Sequence, residues 1–164
     1  MIIAGLRVKH IYFTSLFFGL KYLSWHIESQ QKNTMPRRKI NLEYILDATS
    51  REIIWDAIST PSGLEGWFAD HVDSNDKIVT FYWGENDEEV KQAEIVGFRA
   101  YSYIRFKWDD CTHPKEYFEL RMHNSELTND YILEVRDFAD ADEIDDHEEL
   151  WNKQIETLRR IKGF

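Results

Sequence analysis

The chain has 164 residues, 43% hydrophobic and 15% aromatic, enough for one domain with a substantial core and too few for two. Its net charge is −10, but Arg7, Lys9, Lys21, Lys32, Arg37, Arg38 and Lys39 against Glu28 alone give residues 1–40 a balance of +6, leaving −16 for residues 41–164. So acidic a body repels a phosphate backbone, which argues against nucleic acid as a partner, and the single Cys111 excludes an internal disulfide framework and fits a reducing, cytoplasmic compartment.

The first stretch, Met1 to Pro36, is basic and aromatic without clean periodicity. Its longest run free of charge, His10 to Leu20, has 11 residues, about half the length that spans a bilayer, and no small-x-small cleavage site follows it. No stable membrane insertion is expected. The composition breaks at Met35-Pro36-Arg37-Arg38, so residues 1–38 read as an N-terminal extension, either disordered or an upstream start with Met35 as the native one, and residues 39–164 read as the folded domain.

Ile40, Leu42, Tyr44 and Leu46 alternate with mostly polar neighbours, the period of a half-buried strand. Thr49 with Glu52 has capping-box spacing, and Ile53, Ile54, Ala57 and Ile58 follow at helical spacing. Thr60-Pro61 offers a second cap, opening a brief helix limited by Gly63 and Gly66. Trp67 is expected to anchor this corner, with its neighbour Phe68 able to face solvent.

Alternating runs then succeed one another: Lys77–Trp83, Glu89–Phe98, Tyr101–Trp108, Tyr117–His123 and Asp130–Phe138. Val79, Phe81 and Trp83 share one face, as do Ile104, Phe106 and Trp108, then Phe118, Leu120 and Met122, then Tyr131, Leu133 and Val135. Tyr103, Arg105, Lys107, Glu119 and Arg121 take the opposite face. Such alternation predicts an antiparallel sheet covered on one side. The cover is a helix over about Ala141–Lys162, with His147, Trp151, Ile155 and Leu158 on its apolar stripe.

The order is thus strand, two short helices, a meander and one long closing helix, an α+β arrangement. A twisted sheet against a straight helix leaves a wedge between them. The segments LEYILDA (42–48), SREIIWDAIST (50–60), PSGLEGWFAD (61–70) and DDHEELWNKQIETLRRI (145–161) carry a resemblance to the helix-grip fold of the START-like (SRPBCC) superfamily, closest to the homologues of the chaperone-ATPase activators, the AHSA-like branch. The resemblance covers residues 40–164 and implies a curved antiparallel sheet of about six to seven strands wrapped around the C-terminal helix. It also implies a cavity that binds a hydrophobic or amphipathic small molecule, lipids included. It supplies no fixed catalytic set.

Residues whose phase turns them toward that cavity are Tyr44, Trp67, Phe81, Trp83, Phe106, Trp108, Phe118, Met122, Tyr131, Trp151, Gln154 and Ile155. The same residue types build ordinary cores, so the sequence leaves pocket and packed interior open. The acidic run Asp137–Glu149 lacks the glycine and glutamate offsets of a calcium loop and fits the start of a helix, where the dipole favours carboxylates. His71, His113, His123 and His147 form no closely spaced ligand pair, and acidic neighbours around Cys111 raise a thiol's pKa. No metal, cofactor or catalytic residue is therefore assigned. The leading expectation is a non-enzymatic binder of a hydrophobic or amphipathic small molecule; the alternative is a protein-interaction module whose acidic surface recognises a basic partner.

Overall fold

The computed structural model describes residues 37–164 except 49, 85 and 112, so the expectations for residues 1–36 and the cap at Thr49 lie outside the described residues. Strand β1 (Arg37–Leu46) is followed by helices α1 (Arg51–Ser59) and α2 (Pro61–Leu64). Then come β2 (His71–Asn75), β3 (Ile78–Trp83), β4 (Glu89–Arg99), β5 (Tyr103–Trp108), β6 (Phe118–Asn124) and β7 (Tyr131–Asp140), and α3 (Ile144–Lys162) closes the chain. The strands form one seven-stranded antiparallel sheet in the order β1-β7-β6-β5-β4-β3-β2. Strand β1 begins at Arg37, inside the stretch that composition assigned to the extension.

β2 is the strand that alternation does not announce. In His71-Val72-Asp73-Ser74-Asn75 only Val72 is buried, and the strand exists because its backbone pairs with β3 from His71↔Tyr82 to Asn75↔Ile78. An edge strand with one covered residue carries too little apolar signal to be read.

The corner between α1 and α2 is built by hydroxyls and a glycine. Ser50 caps α1, its Oγ accepting from the Ile53 N–H at 3.4 Å. The Thr60 hydroxyl donates to the Asp56 carbonyl at 2.8 Å and accepts from the Gly63 N–H at 2.9 Å, ending one helix and starting the next. Gly63 is required there: a Cβ at its position would lie 1.8 Å from the Asp56 carbonyl oxygen. Gly66 at φ +81 then turns the chain so that both Trp67 and Phe68 point inward, each 3% exposed. Phe68 therefore does not face solvent, since the turn gives the two neighbours separate buried niches. Trp67 Nε1 donates to the carbonyls of Ala57 and Gly63, and Trp83 Nε1 donates to that of Phe68 at 2.8 Å.

Helix α3 carries Asp145 and Asp146 in its first turn and Arg159, Arg160 and Lys162 in its last, each charge set matching the dipole. Trp151, Ile155 and Leu158 are buried beneath it. The opposite face of the sheet departs from expectation. Glu119 is on the side away from α3, as its phase required, yet it is 0% exposed and Glu134 beside it is buried too. Glu119 Oε2 accepts from Arg105 Nε and Nη2 at 2.9 and 2.6 Å, while Oε1 accepts from Arg121 Nε at 3.1 Å and Arg136 Nη1 at 3.3 Å. Tyr103 and Tyr117 lie under the guanidiniums of Arg121 and Arg105, at 4.6 and 4.0 Å from the ring centroids. Long cationic side chains roof this face with their own stems, so the carboxylate is covered although no helix among the described residues covers it.

Candidate functional site

The place to look is the wedge between α3 and the inner face of β3, β5, β6 and β7. Strand alternation delivers Phe81 and Trp83 from β3, Phe106 and Trp108 from β5, and Phe118 and Met122 from β6, while helical spacing delivers Trp151 and Ile155 from α3. Phe68 enters from the glycine corner and becomes the hub. It stacks on Phe118 at 5.3 Å and on Trp108 at 6.5 Å, meets Phe81 edge-on at 5.0 Å, and lies 5.9 Å from Trp151. Phe118 also stacks on Phe106 at 4.8 Å and on Trp108 at 4.9 Å. Offset and edge-on contacts of this kind each add about 0.5–1.5 kcal/mol beyond area burial.

The rings fill the wedge. What remains between Phe68, Trp108, Phe118, Asp137, His147, Leu150, Trp151 and Gln154 is a void of about 10 Å³, at most room for one water. A second void of about 50 Å³ lies under the α1–α2 corner, among Ser59, Pro61, Leu64, Ser74, Asp76, Val79, Ile95, Ile104 and Phe106. Pockets for small molecules hold roughly 300–1,000 Å³.

Of the residues expected around a cavity, Trp108, Phe118, Trp151 and Gln154 border the wedge void and Phe106 borders the second void, whereas Phe81, Trp83, Met122 and Ile155 are buried in the surrounding core. Trp67 is packed in the corner away from the void. Tyr44 and Tyr131 are half-buried against the core's margin. The Tyr44 hydroxyl donates to Asn152 Oδ1 at 2.8 Å, and burial, with the charge of Glu148 adding to it, pushes its pKa up to about 12.

Four residues outside the sequence-derived set also border the void: Phe68, Asp137 on β7, and His147 and Leu150 on α3. Asp137 Oδ2 accepts from Trp151 Nε1 at 3.0 Å and lies 2.8 Å from His147 Nε2, while Oδ1 accepts from the Phe138 N–H at 2.8 Å. This carboxylate pins the first turns of α3 to the sheet. His147 shared the helical stripe with Trp151, which was its signal; Asp137, hidden in an acidic run, had none.

Another carboxylate on the inner face is Glu89 at the start of β4. Its Oε2 is buried without a hydrogen-bond partner among the described residues, and burial pushes its pKa up to about 7 against the opposing pull of Lys91. Burial likewise pushes the Cys111 thiol up, with the charge of Glu116 contributing, so this cysteine is not an activated thiolate. Among the described residues no group of three or more His, Cys, Asp or Glu converges as a metal site would, and no helix is long and apolar enough to cross a membrane.

Comparison with protein families matches residues 34–164 to the START-like superfamily domain. A protein from Bacteroides fragilis with a known solution structure is 57% identical, with 79% of this chain and 94% of that one covered at a TM-score of 0.57. The fold is shared at lower identity by a Staphylococcus saprophyticus protein, 16% identical over 74% of this chain and 88% of that one, TM-score 0.59. It is shared also by the AHSA1-like protein from Aeromonas hydrophila, 14% identical over 75% of this chain and 90% of that one, TM-score 0.58. The search of curated proteins found no match.

Proposed function

Because the chain belongs to the START-like superfamily, we propose that it uses the helix-grip domain as a protein-interaction module, working through its exterior rather than through an enclosed ligand. The observation that supports this reading is the filled wedge, whose void of about 10 Å³ is more than tenfold below what a small-molecule site holds. Admitting a ligand would mean separating Phe68, Phe118 and Trp151 and giving up their ring contacts. The exterior at the first turns of α3 is acidic, with Asp145, Asp146, Glu148 and Glu149, so the charge there favours a basic partner.

The apolar-ligand reading keeps one observation in its favour: Asp137, His147 and Gln154 set polar groups beside the rings of Phe68 and Trp108 at the wedge, the composition of a binding mouth. Native mass spectrometry of freshly purified protein separates the two. The interaction reading expects no bound small molecule and, from lysate of the source, a stoichiometric protein partner that is released by salt and lost in the D145K/E148K variant. A small molecule retained one to one, with no salt-sensitive partner, refutes it.

A further inference from the structure

Among the described residues the sheet has two edges, β1 and β2, and they are treated differently. The β2 edge is five residues long and has one outward group occupied: the Val72 N–H donates to Glu65 Oε1 at 3.1 Å, and His71 Nδ1 lies 2.7 Å from the same oxygen. The β1 edge is ten residues long and mostly uncovered. Which of its backbone groups are open follows from its partner strand. Phe138 faces Lys39 in the register, yet its N–H donates to Asp137 Oδ1 and its carbonyl accepts from Arg37 Nη2. Lys39↔Phe138 is therefore a pair without ladder bonds. Since such pairs alternate along an antiparallel ladder, Lys39, Asn41 and Glu43 all turn N–H and C=O away from β7. Ile45 agrees in phase, its carbonyl receiving Arg159 Nη2 at 2.8 Å from α3.

The three open residues form a self-complementary sequence. Placed antiparallel against itself with Asn41 opposite Asn41, the strand sets Lys39 opposite Glu43 and Glu43 opposite Lys39, on the outer face where all three side chains are exposed. It is the register that pairs all three open residues and gives each charge its opposite. We infer that β1 docks on β1 of a second copy of this chain about a two-fold axis through Asn41, joining the two sheets into one. Backbone bonds exchanged at Lys39, Asn41 and Glu43 supply the affinity, and the two Lys–Glu pairs supply the register. The edge that an isolated domain would have to blunt is then buried in the dimer.

The test is the mass of the full-length chain by light scattering and sedimentation over about 1–200 µM, the range of a modest dimer constant. The expected mass rises from 19.7 kDa toward twice that value. Asn41→Pro removes an outward N–H that no bond among the described residues uses, so it should weaken association at least ~10-fold with the near-ultraviolet circular dichroism of the aromatic core unchanged. Lys39→Glu and Glu43→Lys alone should each weaken it by about 10-fold by placing like charges opposite, and K39E/E43K together should restore it. A chain that stays at 19.7 kDa throughout overturns the inference. So does a dimer that survives N41P, or one in which the double swap fails to recover what the single changes lost.

Discussion

Replacing Glu119 by Gln tests whether the roof of arginines stabilises the fold or merely decorates it. In the native protein the carboxylate is 0% exposed and accepts four hydrogen bonds from three guanidiniums whose side chains are 25–32% exposed. Glutamine keeps the shape and one carbonyl oxygen, but turns an amide NH2 toward donors. Two of the four bonds are then lost, and three like charges remain without the anion between them. A charge-assisted bond contributes about 1.5–3 kcal/mol, and the guanidiniums can rehydrate at their exposed sides, so the lower end applies. The expected loss is therefore about 3 kcal/mol, or a fall in Tm of roughly 6–12 °C for a chain of this length. Urea denaturation should show the midpoint falling with the m-value unchanged, since neither end state changes in exposed area. A loss under about 0.5 kcal/mol, the range of ordinary surface changes, would refute the reasoning and reduce the cluster to exposed ion pairs.

Gly63→Ala should cost about 1–3 kcal/mol by chemical denaturation, because the new Cβ meets the Asp56 carbonyl and backbone must move. Trp67→Ala should cost roughly 3–5 kcal/mol, from a buried indole that also leaves two carbonyls without their donor. Glu89 has its pKa raised to about 7 from 4.5, so the unfolded chain ionises first as pH rises. The contribution of this group to stability is thus fully present below about pH 4.5 and is lost as pH rises through about 7, and Glu89→Gln should raise Tm at pH 8 while leaving it near wild type at pH 4. Tyr44 obeys the same sign further up: its contribution is whole below pH 10 and is lost toward about 12, a decline that Tyr44→Phe should remove from the alkaline unfolding profile.

Element order and the START-like architecture were legible because strands such as β3 and β5 alternate apolar and polar residues and α3 keeps its stripe through Trp151, Ile155 and Leu158. β2 was not, since edge pairing by backbone leaves no apolar trace when only Val72 is covered. Nor could the phase of Glu119 reveal its burial: period two tells which face a residue takes, not how far neighbouring arginines fold over it. At the site the inward rings were readable, but whether they enclose space depends on Phe68, whose direction is set by the positive φ at Gly66. Asp137 illustrates a different limit. One carboxylate among many in an acidic run bonds Trp151 and neighbours His147, a selection made only by three-dimensional position.

The strand order also has a temporal side. Strands β2 to β7 each lie beside their sequence neighbours, so this meander can assemble hairpin by hairpin as the chain leaves the ribosome. Strand β1 cannot: its partner is β7, with Arg37 opposite Asp140, and β7 is the last strand to be made. During synthesis, therefore, β1 emerges first and waits, unpaired along both of its edges, until nearly the whole domain has followed it. That interval is when a nascent-chain chaperone would find its binding segment, and when slowing translation through β6 and β7 would most raise the yield of misassembled chains.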